Sequence, residues 1–228
     1  MKKNIWILAI TLLFLTFFSF AQSEKFWLRY NVSSKPEINF PYNLYKALPD
    51  NNMHKFVWVK QPFHNISYEP NDLVSLQWRS HISAQARHTF RSEAADRLEE
   101  MANAFYEKFW TNIVIASAYR SYSYQKNSIS ESCKQSWRCA REWESEHQLW
   151  LAVDLREASS EEKFLSKYQK YYDWLHDNAY LYWFHQSYQN WREIDWYYIE
   201  PRHRRYLGID LATKLHEKDV TFTQYVNQ

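Results

Sequence analysis

The sequence predicts an α+β fold: a small, mainly antiparallel sheet flanked by helices, with an open cleft beside it. Apolar and β-branched runs of strand length recur along the chain, and segments with apolar residues at helical spacing separate them. A turn near Gln189 separates the last two strand-like runs, which indicates an antiparallel pair. The strand-like segments are residues 112–118, 149–153, 181–188 and 197–199, and the helix-like segments are 91–109, 161–179 and 211–226.

The chain begins with the features of a secretory signal peptide. Lys2 and Lys3 precede an apolar run at residues 5–20, and Ser19 and Ala21 are small residues at the two positions that a signal peptidase reads. We expect cleavage after Ala21 and an exported, extracytoplasmic protein. The alternative is an uncleaved membrane tether, although 16 apolar residues are fewer than the roughly 20 of a membrane span. No cysteine follows the run, so we expect no lipoprotein anchor.

The rest of the chain is expected to form one domain with an N-terminal extension. Residues 22–67 are polar, aromatic and interrupted by prolines, which predicts an irregular segment over the domain surface. Residues 68–228 are long enough for a hydrophobic core, and we expect a monomer. The net charge is only +2 without blocks of either sign, so nothing indicates a nucleic acid or an anionic membrane as partner. A single glycine excludes a glycine-rich phosphate loop.

The two cysteines, Cys133 and Cys139, have two open interpretations. Pairing fits an exported chain. Positions six apart lie on different faces of a helix, so a disulfide would require a bend or loop between them. Two free or buried thiols are the alternative. The C-x-x-C spacing of thiolate zinc sites does not occur.

A second pattern of residues suits a metal site. His147 and Asp154 are joined by an apolar run that resembles a buried strand, and strand residues seven apart point to opposite faces. His147 must therefore lie on the loop entering the strand, with Asp154 near its far end. His203 can supply a third ligand, which leaves one open position on a zinc ion. Glu200, three residues earlier, is then placed to act as a general base.

Three blocks together resemble a known family. SEHQLWLAVDL (145–155) resembles the S-x-H-x-x-G-x-A-x-D signature of the VanY-type zinc D-alanyl-D-alanine carboxypeptidases, which are LAS-type peptidoglycan metallopeptidases. EPRHRRYLG (200–208) resembles the family's E-P-W-H-W-R-Y-x-G, and SAYRSYSYQ (117–125) matches its S-x-Y-R-S-x-x-x-Q. The blocks occur in the family's order, and the resemblance extends from about Tyr68 to the C-terminus.

The resemblance implies a function and roles for individual residues. The expected activity is removal of the C-terminal D-alanine from a peptidoglycan stem peptide, with one zinc ion per chain. Zinc is bound by His147, Asp154 and His203, and Glu200 is the catalytic base. Arg120, Gln125 and Ser145 hold the terminal carboxylate of the substrate or the developing oxyanion, and a guanidinium suits a carboxylate.

Two kinds of alternative remain open at this point. The shared motifs do not separate a D,D-carboxypeptidase from an L,D-carboxypeptidase or an endopeptidase on the same polymer. A catalytically inactive, zinc-free wall-binding module is the alternative from another class. The presence of all three ligand types and of Glu200 argues against it.

The glycine and tryptophan content is anomalous. The chain has one glycine and 12 tryptophans, whereas the average glycine usage of about 7% would give roughly 16 glycines. Tryptophan stands where the resembled family has glycine, and arginine stands where it has tryptophan. We hypothesise a gene that reads UGA as glycine and some CGN codons as tryptophan, translated with another code; a diverged enzyme is the alternative. The tryptophans at family glycine positions are Trp143, Trp150 and Trp183, and Trp110 and Trp196 are similar. The arginines at family tryptophan positions are Arg202 and Arg204.

Overall fold

The computed structural model describes residues 42–65, 67–156, 168–190 and 192–227. The predicted signal peptide lies outside these residues, as do residues 22–41 and 66 of the predicted extension and the first part of the helix predicted at 161–179. The α-helices are α1 (Tyr42–Ala47), α2 (Ser92–Phe109), α3 (Tyr122–Asn127), α4 (Glu131–Gln135), α5 (Gln169–Asn178), α6 (Arg192–Asp195), α7 (Ile209–Glu217) and α8 (Phe222–Val226). The strands are β1 (Leu73–Ser75), β2 (Ile82–Ser83), β3 (Thr89–Arg91), β4 (Ile113–Ser117), β5 (Ala152–Arg156), β6 (Phe184–His185) and β7 (His203–Tyr206).

A five-stranded sheet forms the centre of the domain. Its strand order is β2-β4-β5-β7-β6, and only the β2–β4 pair is parallel. Strands β1 and β3 form a separate antiparallel pair. The predicted α+β class with a small, mainly antiparallel sheet is therefore confirmed.

Helix α2 packs against the sheet because its apolar residues recur every three or four positions and so share one face. The prediction of 91–109 differs from the observed Ser92–Phe109 by one residue. The buried face joins the main core, which also includes Ile113 and Ile115 of β4 and Val153 and Leu155 of β5. The buried residues of α2 are Ala94, Ala95, Leu98, Met101, Ala102 and Phe105.

Two predicted strands were misplaced. The run at 149–153 was expected to be the strand, but Leu149 ends a 3₁₀ turn, Glu146–Leu149, and β5 begins only at Ala152. Asp154 consequently lies in the middle of its strand rather than near the far end. No strand forms at 197–199, and the strand that pairs with β6 is β7, which follows Glu200 instead of preceding it.

Hydrogen bonds to Asp195 explain the second error. Its buried carboxylate accepts the backbone N–H groups of Gln189 and Asn190 and the hydroxyl of Thr221. These bonds tie Gln189, Asn190 and Thr221 to α6, and residues 197–199, which follow α6, form no strand. The apolar residues at 197–199 alone do not reveal these hydrogen bonds to the Asp195 side chain.

The described part of the predicted extension contributes to a second core. It contains a short helix, α1, and is not wholly irregular. Tyr45, Phe56 and Trp58 are buried with residues of α7 and α8, including Leu211 and Phe222. Helix α8 begins with a capping box at Thr221, which separates it from α7 and divides the predicted tail helix into two. No described helix is both long and apolar enough to cross a membrane.

Cys133 and Cys139 form a disulfide with their Cα atoms 5.4 Å apart. Helix α4 ends at Gln135, and the chain then bends through Trp137, whose φ is 62°. This bend provides the interruption of the helix that a disulfide between residues six apart requires.

Seven of the nine described tryptophans have positive φ, between 53° and 78°; we call these the left-handed tryptophans. Glycine populates this region freely, whereas a side chain there costs roughly 1–2 kcal/mol. The single glycine, Gly208, has φ 74° and ψ 164°, a conformation essentially restricted to glycine. The left-handed tryptophans are Trp78, Trp110, Trp137, Trp143, Trp150, Trp183 and Trp196.

Trp110 offers a direct measure of this cost. It follows α2 in the left-handed cap conformation that helices usually assign to glycine, and it is 79% exposed, so its side chain contributes little packing. We expect Trp110→Gly to stabilise the fold by about 1 kcal/mol and to raise the melting temperature by about 2–4 °C. Thermal denaturation followed by circular dichroism measures this.

The matched control is Trp174→Gly. Trp174 lies inside α5, outside the left-handed region, and its ring contacts Phe105 and Phe109. This change should lower the melting temperature because it removes packing and puts glycine inside a helix. A destabilising effect of Trp110→Gly similar to that of the control would show that the left-handed backbone at 110 carries no strain.

Candidate functional site

Three predicted ligands meet at the centre of the sheet. His147 lies on the 3₁₀ turn that enters β5, as expected, and Asp154 lies in β5. His203 is the first residue of β7 and is the direct antiparallel partner of Asp154. One donor atom from each residue lies within 4.8 Å of the others, and all three residues are at most 3% exposed. The structure therefore brings these three predicted residues together.

The donor atoms can be assigned from their contacts. Oδ1 of Asp154 lies 3.3 Å from Nε2 of His147 and 3.1 Å from Nδ1 of His203. The other nitrogen of each ring is occupied elsewhere: Nδ1 of His147 is 2.5 Å from the carbonyl oxygen of Ala118, and Nε2 of His203 is 2.8 Å from Oε2 of Glu146. Each histidine thus has one nitrogen directed to the centre and one held by an acceptor outside it.

The charge states of the group follow from burial and from these contacts. Burial, together with the Arg120 cation, lowers the pKa of His147 to about 4, so its ring is neutral at pH 7. Burial also opposes charge on His203, but hydrogen bonds to Asp154 and Glu146 outweigh it and raise the pKa of His203 to about 9. Although burial would raise the pKa of Asp154, His147 and Arg120 hold it well below its usual value.

This donor set fits a zinc ion. Two imidazoles and one carboxylate are ligands that zinc accepts in open, catalytic sites, and an acceptor on the outer nitrogen of each histidine is the usual second shell of such sites. A divalent cation would take the place of the proton that His203 holds in its absence.

Arg120 lies beside the ligands, just beyond the end of β4. Its Nε donates to Oγ of Ser117 at 2.8 Å, its Nη2 contacts Oδ2 of Asp154, and its backbone N–H donates to the carbonyl of His147. The side chain is 18% exposed. The guanidinium therefore reaches the edge of the ligand group from a partly open position.

Glu200 lies on the turn that leads into β7. Its N–H donates to the carbonyl of Tyr188, and its own carbonyl accepts the N–H of His203, so its backbone is fixed relative to that ligand. Its Oε1 accepts from Nε of Arg202 at 2.9 Å. The strand-like segment 197–199 would place Glu200 directly after a strand, but that strand does not form, and the observed strand begins after Glu200. Its role as base stays a prediction.

Gln125 and Ser145, the two other predicted substrate-binding residues, are both buried. Gln125 is 0% exposed and donates to the carbonyl of Ala140, which links α3 to the following loop. Its Oε1 is buried without a hydrogen-bond partner among the described residues. Ser145 is 2% exposed and precedes the 3₁₀ turn that carries His147. Their contacts with a substrate stay predictions.

The sequence interpretation missed the residues behind the ligands. Glu146 is buried, accepts from Oγ of Ser187 at 2.6 Å and lies 3.8 Å from Nη1 of Arg205. Burial opposes its ionisation, but His203 and Arg205 lower its pKa to about 2. An acidic residue directly before a ligand histidine was a visible signal for Glu146. Nothing local marks Ser187.

Known proteins are similar to this chain in sequence and in fold. The family model described as VanY, D-alanyl-D-alanine carboxypeptidase, matches residues 87–209. YodJ of Bacillus subtilis (strain 168) is 34% identical over 170 residues, which cover 70% of this chain and 62% of YodJ. The chain thus spans less than two thirds of the length of that relative.

Two solved structures extend the comparison. The LD-carboxypeptidase LdcB is 30% identical with a TM-score of 0.65, and the match covers 78% of this chain and 87% of LdcB. VanYB, solved in complex with D-alanine-D-alanine, is 25% identical with a TM-score of 0.59, over 76% of this chain and 96% of VanYB. Because the family model matches more than half of the chain, this protein belongs to the VanY family of D-alanyl-D-alanine carboxypeptidases.

Proposed function

We propose that the protein is a zinc-dependent D,D-carboxypeptidase that removes the C-terminal D-alanine from peptidoglycan stem peptides, with one zinc ion per chain. The observation that carries the proposal is the buried group of His147, Asp154 and His203, whose donor atoms lie within 4.8 Å of one another. Membership of the VanY family and the D-alanine-D-alanine complex of VanYB support the choice of substrate.

The chain's own residues divide the chemistry between them. A zinc ion held by His147, Asp154 and His203 would supply Lewis acidity, which would polarise a carbonyl and lower the pKa of a water molecule. Glu200 accepts the proton of the attacking water and returns it to the leaving amine. For this role its carboxylate must leave Arg202, which it contacts in the structure.

Arg120 binds the substrate at the open side of the ligand group. Its guanidinium offers a planar pair of donors that matches a terminal carboxylate. The partial exposure of Arg120 beside the buried Asp154 lets it face both the ligand group and an incoming peptide. From this position it also stabilises negative charge that develops on the carbonyl oxygen.

The proposed site of action is outside the cytoplasmic membrane. The apolar run at residues 5–20 behind two lysines supports export. The disulfide between Cys133 and Cys139 also fits an oxidising compartment, because cytosolic thiols are kept reduced.

An L,D-carboxypeptidase is the second candidate function, and the similarity to LdcB favours it. Incubation with purified pentapeptide and tetrapeptide stems, with and without a chelator, separates the two by mass spectrometry. Loss of D-alanine from the pentapeptide supports the D,D activity. Loss of D-alanine from the tetrapeptide, with the pentapeptide left intact, supports the L,D activity. A protein that binds the stems but no metal, and cuts neither, would be a wall-binding module.

The roles of Glu200 and His203 predict opposite effects on metal and turnover. Glu200→Gln should keep zinc but reduce turnover about 10²–10⁴-fold, because the base is not a ligand. His203→Ala should lose zinc. Metal analysis of the purified proteins and stem-peptide turnover test both changes.

Glu193→Gln is the matched control, since Glu193 is an exposed carboxylate on α6. It should change neither zinc content nor turnover. Loss of zinc from Glu200→Gln would show that Glu200 is a ligand, and stoichiometric zinc in His203→Ala would remove His203 from the site.

Arg120→Lys should weaken turnover of stems with a free C-terminal carboxylate, because an ammonium group cannot reproduce the planar pair of donors. Steady-state kinetics on the pentapeptide stem measure the effect. The control is Arg79→Lys, since Arg79 pairs with Asp96 and Glu99 away from the ligand group. Equal kinetics for the two variants and the wild type would mean that Arg120 does not bind the substrate.

A further inference from the structure

A second buried carboxylate, Glu146, contacts the ligand group through the outer nitrogen of His203. Glu146 precedes His147 in the chain and is 4% exposed. Its Oε2 lies 2.8 Å from Nε2 of His203, while Nδ1 of the same ring lies 3.1 Å from Oδ1 of Asp154. The imidazole of His203 is therefore held between two carboxylates, one at each ring nitrogen.

The carboxylate of Glu146 is itself fixed by two neighbours. Oγ of Ser187 donates to Oε2 at 2.6 Å, and Nη1 of Arg205 lies 3.8 Å from Oε1. Arg205 is fully buried, and its Nη2 donates to the carbonyls of Met53 and Lys55. The cation behind Glu146 is therefore anchored to backbone and cannot easily move away.

The two histidines are oriented in different ways. Nε2 of His147 and Nδ1 of His203 both face Oδ1 of Asp154. The outer nitrogen of His147 meets a neutral carbonyl, that of Ala118, whereas the outer nitrogen of His203 meets a carboxylate. A carboxylate acceptor makes the imidazole a more basic metal ligand than a carbonyl does.

We propose that Glu146 is a positioning residue for the metal site. It accepts the hydrogen on Nε2 of His203 and so fixes the tautomer and the ring orientation in which the Nδ1 lone pair faces the ion. The role rests on the proposed function, because it requires that the site binds zinc. Ser187 and Arg205 act through Glu146 by holding its carboxylate in place.

The variant Glu146→Gln tests the role with little change of shape. We expect zinc affinity, measured by competition with a chelator of known affinity, to fall about 10–100-fold. The visible absorption bands of the cobalt-substituted protein should also shift, because the His203 ligand changes its basicity. Glu144→Gln is the matched control: Glu144 lies two residues earlier and accepts from the hydroxyl of Tyr197. It should keep the wild-type affinity and spectrum.

A second variant covers the case in which Glu146→Gln fails to fold. Ser187→Ala removes one bond that holds Glu146 and should lower zinc affinity by a smaller factor. Wild-type affinity and an unchanged cobalt spectrum in whichever of the two variants folds would overturn the role. A wild-type protein that binds no zinc would instead overturn the proposed function, and so the two failures are distinguishable.

A separate observation concerns the identity of the residues themselves. All five tryptophans that the motifs and composition had marked as glycine-like are left-handed tryptophans, and Trp78 and Trp137 join them. Of the described tryptophans only Trp58 and Trp174 lie outside the left-handed region. Trp78 is 90% exposed, so no packing of its ring explains its conformation.

Of the two arginines at family tryptophan positions, Arg204 is poorly suited to its surroundings. Arg204 is 0% exposed, and its Nε and Nη2 are buried without a hydrogen-bond partner among the described residues. A large apolar ring suits such a position better than a guanidinium. Arg202 holds the carboxylate of Glu200, and a tryptophan there would leave that carboxylate free to act as a base.

We infer that the left-handed tryptophans are glycines in the native protein, and that Arg202 and Arg204 are tryptophans. The gene would read UGA as glycine and some CGN codons as tryptophan. Backbone conformation selects the tryptophan positions independently of any motif. The restored blocks would read SEHQLGLAVD and EPWHWRYLG.

The coding DNA tests the inference directly. UGA codons at the seven left-handed tryptophans and CGN codons at Arg202 and Arg204 are expected. UGG at the tryptophans, or AGA and AGG at the arginines, would overturn the corresponding half of the inference. Mass spectrometry of peptides from the native protein is the second measurement: glycine at 143 and 150 supports the inference, and tryptophan there overturns it.

Discussion

The site depends on the antiparallel register between β5 and β7. Directly opposite residues of an antiparallel pair project on the same face, so the pairing of Asp154 with His203 brings a carboxylate and an imidazole together. Backbone hydrogen bonds from Leu155 to the carbonyl of Arg202 and from Tyr206 to that of Leu151 fix this register. A slip by one residue would turn His203 to the other face and separate the ligands, which are 49 residues apart in the chain.

Burial then decides which chemistry the ligand group can perform. Isolated charges in a nearly dry site are costly, so each charged group needs a partner within contact distance. Asp154 is paired with Arg120, and Glu146 with His203 and Arg205. The neutral ring of His147 is already in the state that binds a metal, whereas His203 keeps a proton because two carboxylates surround it. A divalent cation held by His147, Asp154 and His203 would satisfy the same carboxylate and would displace that proton, so its binding would depend on pH.

The sequence identified the parts of the structure that depend on local pattern or on residue chemistry. Helix α2 was predicted to within one residue because its apolar face is periodic, and His147, Asp154 and His203 were predicted together because imidazole and carboxylate suit zinc and because their motifs resemble those of a zinc family; the structure brings the three side chains to one place. The strand predicted at 197–199 does not form, and the segment before it is instead tied by three hydrogen bonds to Asp195, including one from Thr221, which the apolar pattern does not show. Ser187 could not have been found, since a serine hydroxyl 41 residues from its acceptor leaves no local signal.

The left-handed tryptophans place a residue type that disfavours positive φ at seven positions of the described backbone. Backbone hydrogen bonds hold some of these turns although the residue type opposes their φ angles: the N–H of Trp110 donates to the carbonyl of Tyr106, and that of Trp183 to the carbonyl of Tyr180. Seven such residues at roughly 1–2 kcal/mol each would cost about as much as the 5–15 kcal/mol that stabilises a typical domain. The backbone cost of these side chains is therefore comparable to the whole stability of a domain, and glycine removes that cost at every one of these positions. Trp150 carries a second consequence: its ring stacks on Tyr119, the neighbour of Arg120, at 3.6 Å. Glycine at 150 would remove the ring that stacks on Tyr119.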